Sequence, residues 1–214
     1  LIVTPPPSVI QQLIQFGVVP VIRTAKAKTA LTAVEWLREA GYRTFEITLT
    51  IPDAAAVIHE LSAASDLLIG AGTAFTADDV ERVVAAGACY VVSPCVVAEV
   101  AQACRNAHVP CLMGALTPTE VRQAVDCGAA VVKIFPASTV GTGHLKALRS
   151  VFPGVAFMPT GGVDAATVGD WLKAGAACVG VGGKLVDETL IGRGDKAAVI
   201  AAGRQLLDAF QGAR

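Results

Sequence analysis

Two charged residues stand where the hydropathy pattern leaves no room for charge: Glu46 in Phe45-Glu46-Ile47-Thr48-Leu49, and Lys133 in Val131-Val132-Lys133-Ile134-Phe135-Pro136. An ionised group among apolar neighbours is costly, so it neutralises or finds a counter-ion. An ordinary lysine, with a pKa of about 10.4, is a free amine in only about one molecule per few thousand at pH 7. Burial disfavours the ammonium, and a caged free amine attacks a ketone, loses water and becomes a protonated Schiff base. Its positive nitrogen draws electrons from neighbouring carbon bonds, so a carbon–carbon bond beta to it breaks and leaves an enamine. A carboxylate within reach shuttles the protons of dehydration and takes up the substrate hydroxyl proton as that bond breaks. Because the carboxylate also favours the ammonium, the pair is expected not to be too tight. The plain alternative is a structural ion pair, or a lysine that snorkels to the surface.

Of 17 basic and 18 acidic residues, only Arg23, Glu46 and Lys133 fall inside such apolar runs, and Lys184 directly follows the last run. Two glycine-rich stretches accompany them, Pro159-Thr160-Gly161-Gly162-Val163-Asp164 and Gly180-Val181-Gly182-Gly183-Lys184. Bare backbone N–H groups at Gly161, Gly162, Gly182 and Gly183, with the Lys184 ammonium, suit a phosphate dianion. The competing reading is that these glycines only permit tight turns. Thr73 and Pro94 end two further runs. The Thr73 hydroxyl is placed either to hydrogen-bond a substrate carboxylate or simply to start the next helix.

The elements that must position these residues form a repeat. Short apolar runs begin at Val18, Thr44, Leu67, Tyr90, Cys111, Val131, Ala156 and Ala177, a spacing of about 23 residues, or one strand plus a three-turn helix. Thr117-Pro118-Thr119-Glu120 reads as a capping box with proline at the first helical position, and Thr76-Ala77-Asp78-Asp79 resembles it. Helix ends are marked by Gly41, Gly87, Gly128 and Gly175.

Strand and helix in strict alternation imply a parallel sheet with right-handed crossovers, and eight such units predict an α/β fold, a (β/α)8 TIM barrel. The barrel accounts for residues 1–214 as a single domain. A helix from about Ser8 to Phe16 caps its N-terminal mouth, and one from about Asp195 to Phe210 is the last outer helix. An open doubly wound sheet would need a glycine fingerprint after its first strand, where Arg23-Thr24-Ala25-Lys26 has none. In a barrel, interior layers draw on alternate strands, so Glu46 on the second strand and Lys133 on the sixth can meet across the centre.

Composition narrows the partners. A net charge of −1 offers no broad cationic face for nucleic acid. The mean hydropathy of +0.58 suggests a membrane, but the longest charge-free stretch, Leu1 to Ile22, is broken by Pro5-Pro6-Pro7 and three glutamines. Leu1 reads as a trimmed start of a cytoplasmic protein without a secretory signal. The six cysteines form no C-x-x-C pair and read as small buried hydrophobes, and the three histidines show no zinc spacing, so neither metal nor cofactor is expected.

Taken in order, Phe45-Glu46-Ile47-Thr48-Leu49, Gly70-Ala71-Gly72-Thr73, Ser93-Pro94, Val132-Lys133-Ile134-Phe135-Pro136-Ala137 and Met158-Pro159-Thr160-Gly161-Gly162 resemble the 2-keto-3-deoxy-6-phosphogluconate aldolases and their 4-hydroxy-2-oxoglutarate and phosphogalactonate relatives. The likeness runs from about Val18 to Val186. It implies a class I, metal-independent aldolase that releases pyruvate and glyceraldehyde 3-phosphate from a small-molecule phosphosugar acid. It also implies Lys133 as the Schiff-base residue, Glu46 as acid and base, Thr73 and Pro94 on the carboxylate side, the glycines on the phosphate side, and a homotrimer.

Three positions depart from the family pattern. Thr50 stands where phosphogluconate-type members carry arginine, and either Arg23 replaces that anchor, as in phosphogalactonate-type relatives, or Thr50 caps the next helix with Asp53. Lys184 stands where serine is common, either as a point charge for phosphate or as a solvated surface lysine. Cys95 replaces a glycine after Ser-Pro. Apart from the aldolase, a barrel isomerase or synthase on a phosphorylated substrate would share the loop glycines without requiring Lys133, and a non-catalytic phosphometabolite-binding barrel would leave Glu46 and Lys133 as only a structural pair.

Overall fold

The computed structural model describes residues 8–214. The reading of Leu1 as a trimmed start lies outside the described residues. Helix α1 (Val9–Phe16) leads into β1 (Val18–Ile22), then α2 (Ala27–Ala40), β2 (Thr44–Thr48), α3 (Ala54–Ser62), β3 (Leu68–Gly72), α4 (Ala77–Ala85), β4 (Tyr90–Ser93) and α5 (Ala98–Asn106). The second half runs β5 (Cys111–Ala115), α6 (Pro118–Asp126), β6 (Val131–Ile134), α7 (Ala137–Val151), β7 (Phe157–Pro159), α8 (Val168–Lys173), β8 (Val179–Val181), α9 (Glu188–Gly192) and α10 (Lys196–Gly212).

All eight strands are parallel neighbours in the order β7-β6-β5-β4-β3-β2-β1-β8. The seam between β7 and β8 is closed by a single parallel bridge, Thr160 to Gly180, and by the Ala177 N–H donating to the Phe157 carbonyl at 2.9 Å. The fold is therefore the (β/α)8 barrel that the repeat predicts. α1 plugs its N-terminal mouth, where Leu13 packs with Val19, Leu68, Tyr90, Leu112 and Met158.

Local rules set the element ends. Thr117 and Glu120 form the complete reciprocal capping box at α6, with Pro118 in the first turn, and Thr76 with Asp79 does the same at α4. Gly41, Gly87, Gly128 and Gly175 all have positive φ and turn the chain from helix to strand. The strands themselves are fully buried, as parallel strands covered by helices must be.

The structure corrects some expectations. Thr50 does not cap α3: Asp53 occupies the cap position with a left-handed φ of 55°, and the Thr50 hydroxyl instead bonds that of Thr48 at 2.8 Å. The cysteines are not uniformly interior. Cys104, Cys111 and Cys178 are buried, Cys89 and Cys127 are half-buried, and Cys95 is exposed because it follows β4 on the rim. Arg23 lies one residue beyond β1, as Thr73 and Pro94 lie one residue beyond β3 and β4. Among the described residues, no helix is long and apolar enough to cross a membrane.

Candidate active site

Side chains alternate along a strand, so Lys133 faces the same way as Val131, which packs with the barrel floor. Glu46 likewise shares a face with Thr44, whose hydroxyl meets that of Tyr90 inside the barrel at 3.1 Å. The two charged side chains meet across the interior: Lys133 Nζ donates to Glu46 Oε1 at 3.0 Å and to Oε2 at 3.2 Å. Their side chains are 6% and 1% exposed. The expectation of a loose pair is corrected, since this is a bidentate contact. The Phe135 ring lies 5.7 Å from the same ammonium.

Glycines on adjacent strands make the room. A Cβ on Gly72 of β3 would lie 2.2 Å from Glu46 Oε1. Gly114 of β5 pairs in register with Lys133, and a Cβ there would lie 1.9 Å from the Pro94 carbonyl oxygen. The chain leaving β4 thus folds inward over Gly114, which brings Pro94 beside the strand that carries Lys133.

At the C-terminal mouth, a cavity of about 210 Å³ is lined by Val21, Arg23, Phe135, Thr160, Gly161, Gly162, Val163, Gly182, Gly183 and Lys184. Val21, paired in register with Glu46, and Phe135 connect it to the buried pair. Neither this cavity nor a larger cleft of about 570 Å³ beside Asp53 and Arg82 is lined by the pair itself, but the larger cleft shares none of the glycine loops. Arg23 and Lys184 have no acidic partner among the described residues, so both bring an uncompensated positive charge to the smaller cavity. Arg23, expected on the carboxylate side, lines the wall it shares with the glycine loops while its Nη2 donates to Thr73 Oγ1 at 3.4 Å.

The glycine loops differ from one another. Gly161 and Gly162 have φ of 95° and 78°, so their backbone needs glycine. Gly182 and Gly183 have no such φ, and a Cβ on Gly183 would meet nothing within 4 Å. The turn reading accounts for the first pair and not for the second.

Thr73 holds a positive φ of 64°, a strained value for a β-branched residue. The loop carrying Arg23 is tied down by Glu188 at the start of α9, whose two carboxylate oxygens accept from the Ala25 N–H at 3.1 and 3.3 Å. Sequence reasoning missed Thr160, Phe135, Val21 and Val163 as cavity walls. Thr160 had a signal, since it follows β7 on the face of Met158, two residues before it.

These features define a class: a (β/α)8 barrel carrying a lysine–carboxylate pair inside the cylinder, beneath a mouth rich in backbone N–H groups. The chain belongs to the KDPG and KHG aldolase family, whose model matches residues 9–202. It is similar to the 2-dehydro-3-deoxy-phosphogluconate aldolase of Treponema pallidum, 31% identical over 94% of this chain and 96% of that protein. It is 34% identical to a probable 2-dehydro-3-deoxy-6-phosphogalactonate aldolase of Rhizobium meliloti, covering 78% of this chain and 80% of the relative. Among solved structures it matches the KDPG aldolase of Legionella pneumophila, with pyruvate captured at low pH as a covalent carbinolamine intermediate. That match has 33% identity and a TM-score of 0.82, and covers 89% of this chain and 93% of the other.

Proposed function

We propose that the chain is a class I aldolase that reversibly cleaves 2-keto-3-deoxy-6-phosphogluconate to pyruvate and D-glyceraldehyde 3-phosphate, with Lys133 as the Schiff-base residue and Glu46 as its proton carrier. The observation that carries this reading is the buried bidentate contact of Lys133 with Glu46, beneath a cavity holding two unpaired cations.

Glu46 takes a proton from the ammonium, and the free amine adds to the C2 carbonyl. Glu46 returns that proton to the departing hydroxyl, water leaves, and an iminium remains on Lys133 Nζ. The carboxylate then accepts the proton of the C4 hydroxyl, directly or through one water. The C3–C4 bond breaks, its electrons flow into the iminium as an enamine, and the aldehyde departs. Protonation at C3 and addition of water release pyruvate and restore the lysine.

The Phe135 ring beside Nζ and the buried walls keep bulk water from the imine. The Thr73 hydroxyl and the Pro94 segment overhanging Gly114 are assigned to the pyruvyl side, in keeping with the family resemblance. On the other side, the N–H groups of Gly161, Gly162, Gly182 and Gly183, with Lys184, hold the phosphate. The bare, unhindered Gly183 supports this, because the backbone conformation there gives no reason for glycine. The family resemblance supports a homotrimer acting in the cytoplasm, with neither nucleic acid nor membrane as partner.

A second substrate is favoured by one observation. With Thr50 bonded to Thr48, and with Arg23 just after β1 and 3.4 Å from Thr73, we read Arg23 as the carboxylate anchor, as in phosphogalactonate-type relatives. Incubation with pyruvate and borohydride, followed by peptide mapping, is expected to give a stable adduct on Lys133. A non-catalytic barrel would give none. Specificity constants for the two phosphosugar epimers and for 4-hydroxy-2-oxoglutarate then rank the substrates.

A further inference from the structure

Gly72 ends β3, and the space a side chain would fill there is occupied by the Glu46 carboxylate. A Cβ at this position would lie 2.2 Å from Oε1, 2.6 Å from Cγ and 2.7 Å from Cδ of Glu46. Carbon contacts that short do not occur between non-bonded atoms, so one of the two partners would have to move.

The backbone of Gly72 has nowhere to go. It pairs with Thr48 on one side and Val92 on the other, and its carbonyl accepts from the Leu49 N–H at 2.8 Å. Its φ is not in the left-handed region, so the conformation itself makes no demand for glycine. On the same inner face, the Tyr90 ring already fills the space over Gly70, where a Cβ would come within 2.1 Å of it. Glu46, whose clashing atoms lie towards the end of a flexible side chain, is the partner that would yield, and moving its carboxylate disturbs the bidentate contact with Lys133.

We propose that Gly72 is a positioning residue: its missing side chain is the slot that holds the Glu46 carboxylate against Lys133 Nζ. The inference rests on the reading of Glu46 as proton carrier and adds the group that aims it. Gly72 touches no reacting atom and acts only through Glu46.

The experiment uses the full chain carrying Gly72→Ala. Borohydride trapping of pyruvate should still reach one adduct per chain, since Lys133 remains. Exchange of the pyruvate methyl hydrogens with deuterated water, and cleavage turnover, should fall by about 100-fold, with KM little changed, because proton transfer is what the carboxylate supplies. Unchanged exchange, or trapping and exchange falling in equal proportion, would overturn the proposal.

A thermal-denaturation cycle covers the case in which the variant folds poorly. Gly72→Ala should lower Tm, or prevent folding, when Glu46 is present and should do neither in a Glu46→Ala chain, where the clashing atoms are gone. An equal loss in both backgrounds would overturn the steric claim. Failure of the wild-type chain to trap pyruvate would instead reject the aldolase reading, and the denaturation cycle would still judge the slot.

Discussion

Lys133 Nζ lies 3.0 and 3.2 Å from the two oxygens of Glu46, although the residues sit 87 apart in the chain and on opposite walls of the barrel. Such closeness puts the lysine nitrogen and the carboxylate within direct proton-transfer distance. Transfer from ammonium to carboxylate turns a charged pair into a neutral amine and a neutral acid, so no lone charge is left in a low-dielectric interior. In the proposed mechanism the pair is the resting state from which substrate entry draws the free amine.

Lys133→Ala is expected to abolish both trapping and cleavage. Glu46→Gln should still trap pyruvate but turn over about 10²- to 10⁴-fold more slowly, the usual worth of a general acid–base. Either loss breaks a buried ion pair, and Lys133→Ala, which strands the Glu46 carboxylate, should cost about 3–5 kcal/mol in urea unfolding. Full activity in either variant removes the assigned role.

The two unpaired cations at the mouth should separate by substrate. Lys184→Ser is expected to raise KM for the phosphorylated substrate by about 10-fold at low salt, an effect that shrinks as salt screens it, and to leave 4-hydroxy-2-oxoglutarate almost untouched. Arg23→Ala should weaken both substrates if the guanidinium serves the carboxylate through Thr73. Steady-state kinetics at two ionic strengths distinguish the outcomes.

Gly183→Ala offers a site test with little structural cost. Because the added methyl meets nothing and the backbone is unstrained, stability should change by less than about 0.5 kcal/mol. KM for the phosphorylated substrate should nevertheless rise several-fold, since the methyl enters the space a phosphate would take. A large drop in Tm would return Gly183 to a purely structural role.

Acid sensitivity follows from the α6 cap. The Glu120 carboxylate is held below its ordinary pKa by the backbone N–H groups of Leu116 and Thr117 and then by the Thr117 hydroxyl. A carboxyl whose pKa is lower in the folded state stabilises above its unfolded value and loses that contribution as pH falls through the folded one. Glu120→Gln should therefore lower Tm at pH 7 and lose its effect towards pH 3. Thr117→Ala, which removes the other half of the box, should cost about 1 kcal/mol at pH 7.

Much of this was legible in the sequence because it obeys local rules. The eight apolar runs became eight strands, since a strand covered on both faces must be apolar throughout. The boxes at Thr76 and Thr117 and the glycines after the helices became caps, since they satisfy backbone groups within a few residues. Glu46 and Lys133 stood out as charge where burial was certain, and the alternation of barrel layers gave the reason they could meet.

Other features depend on contacts between strands remote in sequence, and no local pattern encodes those. Only the closed barrel decided that the Glu46 carboxylate rests over Gly72, that the Pro94 carbonyl overhangs Gly114, and that the contact with Lys133 is tight. Only the pairing of β1 with β8 brought Arg23, just after the first strand, beside Lys184 after the eighth. The sequence alone determined which residues must be buried and where each element begins, because hydropathy and capping are local. The tertiary structure decided which buried residues face one another, because curvature, register and the absence of a few Cβ atoms set the distances across the interior.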